Sequence, residues 1–142
     1  MSSNTLYFKD NNNYYYVIGN IKEKWFGNRP FVCSMDENIL KLQYLQDLIY
    51  SDVKNENEKI CFTIFKIKGK NQSEFDSNIQ SLINNNLSSD KYEKIKDIEY
   101  IVDTNNQTQF FDNIEVKFCL NKVPDKFGDK IYIDCPTIYI KQ

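Results

Sequence analysis

Apolar and polar positions alternate along the chain with a period that changes from segment to segment. Residues 5–9 and 14–21 read as strands. The second opens on Tyr14-Tyr15-Tyr16-Val17-Ile18, residue types that suit a pleated, half-buried surface. The polar run Asp10-Asn11-Asn12-Asn13 between them is a turn. Lys22 to Arg29 forms a loop that turns at Gly27-Asn28, and Pro30-Phe31-Val32-Cys33 returns as a strand, giving a β-hairpin with a long tip. Ser34-Met35-Asp36-Glu37 then has the spacing of a capping box, which predicts a helix to about Asp52. On that helix Ile39, Leu42, Leu45, Leu48, Ile49 and Val53 share one face, whereas Leu40 and Tyr44 form a separate i, i+4 ridge.

Lys59 to Lys68 is nearly continuous in apolar character through Ile60-Cys61-Phe62-Thr63-Ile64-Phe65, as expected of a central strand covered on both faces and stopped by Gly69. Ser73-Glu74-Phe75-Asp76 reads as a second capping box. Phe75, Ile79, Leu82, Ile83 and Leu87 follow at helical spacing, until Asn84-Asn85-Asn86 ends the helix. A short strand is expected near 97–103 and a polar turn over Thr104–Gln109. Residues 113–121 alternate cleanly: Ile114, Val116, Phe118 and Leu120 point one way, and Glu115, Lys117 and Cys119 the other. After a turn at 124–129, Lys130 to Lys141 reads as the return strand. Its apolar phase flips at Cys135-Pro136, which predicts a bulge or an edge there. The sum is an α+β fold in a single domain over residues 1–142. The expected order is β-hairpin, helix, strand, helix, strand and C-terminal hairpin, with a mainly antiparallel sheet carrying two helices on one face.

Composition changes this picture in two ways. Apolar residues are only 41% of the chain, but aromatics are 15%, so Phe and Tyr supply the bulk of the core. Each buried aromatic hides roughly 150–250 Å², enough for a few to hold a small domain. There is also no histidine and no alanine, and Arg29 is the one arginine, while Asn, Lys and Ile exceed a third of the residues, a bias typical of AT-rich coding sequence. Lacking histidine, the chain cannot build a Ser-His or Cys-His nucleophile pair, and it lacks the commonest metal ligand.

Cys33, Cys61, Cys119 and Cys135 show no CxxC spacing and read as reduced, mostly buried thiols. Cys33 stands just before the expected helix start, where a thiolate would be favoured, but has no base beside it. The carboxylate pairs Asp36/Glu37, Glu56/Glu58 and Asp97/Glu99 read as helix-start or solvated-loop charge. No glycine-rich phosphate loop is present, and Asp10-Asn11-Asn12 lacks the glycine and glutamate of a calcium loop. No metal, cofactor or catalytic group is expected. The net charge of −2 argues against nucleic acid as partner. No apolar run reaches membrane-spanning length, and residues 1–10 lack the pattern of a signal peptide, so a cytoplasmic location is expected.

Two surfaces remain as candidates. The first is the loop holding Trp25, Phe26, Arg29 and Phe31, with the Leu40/Tyr44 ridge as a separate, weaker candidate for the same role. Trp, Tyr and Arg dominate binding hot spots because they bring large area with few rotors. The second is the lysine row Lys66, Lys68 and Lys70 at i, i+2, i+4, together with Lys22 and Lys24, which would suit a phosphate-bearing ligand. The expectation is a small non-catalytic module that binds an unidentified protein partner: an inhibitor, immunity or accessory protein of an AT-rich bacterium, phage or large virus. The alternative is a small-ligand binder, for a nucleotide or other phosphate-bearing molecule, at an oligomer interface.

Overall fold

The computed structural model of the chain describes residues 14–19, 32–36, 39–43, 53–133 and 136–141. They hold the strands β1 (Tyr14–Gly19), β2 (Val32–Asp36), β3 (Ile39–Gln43), β4 (Val53–Lys54), β5 (Lys59–Lys68), β6 (Tyr92–Ile101), β7 (Thr108–Phe111), β8 (Ile114–Lys117), β9 (Leu120–Asp125), β10 (Gly128–Ile133) and β11 (Thr137–Lys141). The one α-helix among the described residues, α1, is Gln72–Ile83. The strands form three sheets, with orders β1-β5-β6, β4-β10-β9 and β2-β3-β11-β8-β7. No helix of the described residues is long and apolar enough to cross a membrane.

The described residues fall into two compact units. The first contains β1 and Phe62–Ile98, the second β3, β4, Lys59–Cys61 and the described residues from Glu99 onward. In the first unit β1 pairs antiparallel with β5, with Tyr15 opposite Ile67 and Val17 opposite Phe65. These four side chains share one face, and Phe75, Ile79 and Leu82 of α1 close over them, with Ile83, Leu87 and Tyr92 at the margin. The Tyr15 and Phe75 rings lie 4.7 Å apart. Each such buried side chain contributes roughly 1.5–3 kcal/mol.

The local sequence explains the ends of α1. The Asn71 side chain caps it by accepting the Glu74 N–H at 2.9 Å, and the Glu74 carboxylate reaches back to the Lys70 N–H at 3.3 Å. The N-terminal box therefore runs from Asn71 to Glu74, two residues before the expected Ser73 start. At the far end Asn85 takes φ +59°, and the N–H groups of Asn85 and Asn86 donate to the carbonyls of Leu82 and Ser81. This is the Schellman arrangement, with asparagine in the left-handed position usually held by glycine. Gly69 has a different reason to be glycine: a Cβ there would lie 2.9 Å from the Phe75 Cβ and 3.1 Å from its Cα.

In the second unit the five-stranded sheet buries six aliphatic side chains in register. Leu42 and Leu40 face Ile138 and Ile140, which face Val116 and Ile114. This patch overturns the expected helix over Ser34–Asp36 and Ile39–Gln43; the rest of its span, 37–38 and 44–52, lies outside the described residues. Ser34–Asp36 belong to β2, and Ile39–Gln43 form β3, where Leu40 and Leu42 are buried and Ile39 is exposed. The cause is tertiary, because antiparallel pairing with a strand nearly a hundred residues away outweighs a modest local helix preference. The expected fold, with two helices on one face, is thus replaced by a predominantly antiparallel β structure. Nor do β1 and β2 form the expected hairpin: β1 pairs with β5, and β2 lies at the edge of the five-stranded sheet.

Two expected long strands are each divided between sheets. Ile114, Val116, Phe118 and Leu120 are all buried, as their alternation required, but β8 ends at Lys117 and Leu120 begins β9 in another sheet. The phase flip near Pro136 has the same origin. Ile131 and Ile133 belong to β10, Ile138 and Ile140 to β11, and the two strands lie in different sheets rather than flanking a bulge. The strand expected near 97–103 is longer and begins at Tyr92, and the expected turn over Thr104–Gln109 gives way to β7 at Thr108.

Candidate functional site

Of the residues singled out from the sequence, Trp25, Phe26, Arg29, Phe31, Tyr44, Lys22 and Lys24 lie outside the described residues. Leu40, on β3 between β2 and β11, is fully buried, so it forms no surface ridge. Lys66 and Lys68 are half-buried neighbours on β5, opposite Tyr16 and Tyr14. The Lys66 ammonium lies 5.2 Å and 5.6 Å from the ring centroids of Tyr14 and Tyr16, within cation–π range of both. Lys70 has already left the strand and opens the turn into α1.

Of the carboxylate pairs, the side chains of Asp36 and Glu37 lie outside the described residues, and the others have local partners. Asp97 accepts from Lys94 and from the Thr63 hydroxyl, and those two bonds hold its carboxyl below the usual range. Glu56 binds the Thr104 hydroxyl and backbone N–H, and Glu58 accepts from Asn55. Among the described residues no three metal-ligating side chains converge. Cys61 and Cys119 are exposed, in contrast to the buried thiols expected: Cys61 holds an outward position on β5, and Cys119 lies between the buried Phe118 and Leu120 in the step from β8 to β9.

Among the described residues, a groove of about 650 Å³ is lined by residues of β6, β7 and the segment joining them. Its floor is built by strand alternation. Ile98, Tyr100 and Val102 point inward and are buried, which turns Glu99 and Ile101 outward. The Tyr100 ring packs edge-on against Phe118 at 4.6 Å, and its hydroxyl donates to the Gln107 carbonyl at 2.6 Å. Burial pushes the phenol up to about 12, against a weaker opposing pull from the Phe118 backbone N–H. The Gln107 side chain donates to the Leu120 carbonyl and accepts its N–H, which ties the connecting segment to β9. Asp103 turns that segment by accepting the Asn105 N–H at 2.9 Å.

Gln109 completes the frame. Its amide oxygen accepts the Ile101 N–H and its amide nitrogen donates to the Ile101 carbonyl, so one side chain satisfies that residue's backbone as a neighbouring strand would. β7 is thereby held along the groove. Thr108, Gln109, Phe110 and Phe111 all line it. Successive residues of a strand point to opposite faces, so a cleft lined by all four runs along the strand's edge. That edge has no strand partner among the described residues, since β7 is last in its sheet. Phe110 is 71% exposed there. Glu99 and Asp103 are the charged residues of the lining, and Lys59 pairs with Glu99 at 2.6 Å.

Sequence reasoning did not single out this groove. The available signal was the two-residue turn Asp112-Asn113 after Thr108-Gln109-Phe110-Phe111, a hairpin pattern with aromatic strand residues. Asp112 takes the left-handed conformation such a turn needs, at φ +56°. Comparison of the chain with protein-family models, with curated proteins and with solved structures gives no match.

Proposed function

We propose that this chain is a non-catalytic protein-binding module. It would act in the cytoplasm of the producing or infected cell by covering a partner's working surface, as an inhibitor, immunity or accessory protein does. The observation that supports this reading is Phe110, largely exposed on an edge strand beside a groove. Proteins commonly guard such edges with lysine, proline or a bulge. β7 carries Thr-Gln-Phe-Phe, which has none of these side chains and favours pairing. Exposed aromatics of this kind are common centres of binding energy.

The test is affinity capture from a lysate of the source cells, read by native mass spectrometry, with the parent and with a Phe110→Ala variant shown to be folded by circular dichroism. A stoichiometric protein retained by the parent and lost with the variant is expected. Equal retention by both, or no protein partner at all, would overturn the reading. The Trp25→Ala and Arg29→Ala variants measure whether the 22–31 segment adds to the same contact.

A second reading has one observation in its favour, the Lys66 ammonium set over the rings of Tyr14 and Tyr16. A phosphate-bearing small molecule could be held there by the ammonium and the phenol hydroxyls. Thermal shift against a panel of nucleotides separates the two, because a specific ligand stabilises the fold increasingly as its concentration rises past its Kd, and Lys66→Gln should remove the effect.

A further inference from the structure

Building on the protein-binding reading, we propose that the β7 groove receives an extended, positively charged segment of the partner as an added strand. The backbone pattern provides the docking edge. β7 and β8 are joined by the two-residue turn Asp112-Asn113, with Phe111 opposite Ile114 and Gln109 opposite Val116. In an antiparallel pair, facing residues alternate between exchanging hydrogen bonds and exchanging none, and the pair closing a two-residue turn is a bonded one. Gln109 and Val116 are then also bonded. The Phe118 N–H donating to the Gln107 carbonyl continues the same odd-numbered phase. It follows that the N–H and C=O groups of Thr108 and Phe110 face away from β8, into the groove. A strand of this length presents an edge of roughly 13 Å, enough for four or five residues of an incoming segment.

The groove's chemistry selects the segment. Its two charged lining residues, Glu99 and Asp103, are both acidic. Lys59 already neutralises part of Glu99, and Asp103 uses one carboxylate oxygen on the Asn105 N–H. Ile101 and Phe110 supply exposed apolar surface between and beside them. A strand that alternates cationic and apolar side chains matches both features, whereas an acidic strand meets like charge. Main-chain pairing supplies affinity in this mode and the alternate side chains supply specificity.

The probe is an amidated hexapeptide of alternating lysine and valine, compared with its glutamate-and-valine counterpart. Titration is followed by amide chemical shifts and by hydrogen exchange of the full chain. The lysine peptide is expected to shift resonances of residues 99–111 and to slow exchange of the Phe110 N–H. It should bind at least about tenfold more tightly than the glutamate peptide. The double variant Glu99→Gln with Asp103→Asn should remove most of that difference and keep the fold. Phe110→Pro deletes an N–H that faces outward, a change edge strands tolerate, and should abolish binding.

Binding of both peptides alike, binding away from β7, or no binding at millimolar peptide would overturn the proposal. So would concentration-dependent protection of Phe110 without peptide, because the edge would then pair with a second copy of the chain. If the lysate yields a Phe110-dependent partner but the peptides fail, strand addition is wrong while the protein-binding reading stands. If both fail, the reading itself is wrong.

Discussion

Tyr100 offers the sharpest physical test of the second unit. Its side chain is buried, stacked edge-on against Phe118, and bonded to the Gln107 carbonyl. Tyr100→Phe keeps the ring and removes the bond. The Gln107 carbonyl retains the Phe118 N–H, so the oxygen is not left bare, and the loss at neutral pH should be about 1 kcal/mol. At alkaline pH the sign reverses. Burial raises the folded-state phenol to about 12, from an ordinary value of 10.

Below pH 10 the phenol is protonated in both states and its stabilisation is fully present. Between 10 and 12 the unfolded chain releases the proton and the folded one does not, so stability falls by about 1.4 kcal/mol per pH unit, or roughly 3 kcal/mol in all. Tyr100→Phe does not carry this loss. Urea unfolding of parent and variant across pH 7 to 12 should therefore give curves that cross, with the parent more stable at neutrality and the variant more stable near pH 12. The remaining nine of the ten tyrosines cancel in the difference. Parallel curves would refute the burial argument, and with it the inward phase of β6 that turns Glu99 and Ile101 into the groove.

Other expectations follow from single contacts. Gly69→Ala places a methyl against the backbone of Phe75, so thermal unfolding should show a loss of about 1–3 kcal/mol. Asn71→Ala removes the helix cap and should cost about 1 kcal/mol, with the change confined to hydrogen exchange near the start of α1. Leu40→Ala should cost about 2–5 kcal/mol by denaturant titration, a loss that a surface position would not produce. Cys61 and Cys119 should react with a thiol reagent in the folded protein without denaturant, at a rate that urea below the transition leaves unchanged.

The features legible in the sequence are the local ones. β5 runs over the expected Lys59–Lys68, ends at Gly69, and is central in its sheet. α1 buries Phe75, Ile79 and Leu82, the residues its 3.6-residue period required, and stops in the asparagine run. The inward phase of Ile114, Val116, Phe118 and Leu120 was also legible, because alternation survives whichever sheet a strand joins.

Tertiary structure decided the rest. Ile39-Leu40-Lys41-Leu42 fits a helix as readily as a strand, and β11 resolves the choice by supplying Ile138 and Ile140 in register. Nothing local marks Lys117 as a place where the chain changes sheet, and the phase flip at Pro136 signals a break without telling that β10 and β11 join different sheets. The groove depends on the same kind of distant fact. Glu99 and Phe110 become neighbours of one cleft because Tyr100 is anchored on Phe118 and Gln107, and because Gln109 takes the Ile101 backbone. A pattern of periods records which side of a strand is apolar. It does not record which strand lies next to it, since that is set by pairing energies summed over residues far apart in the chain.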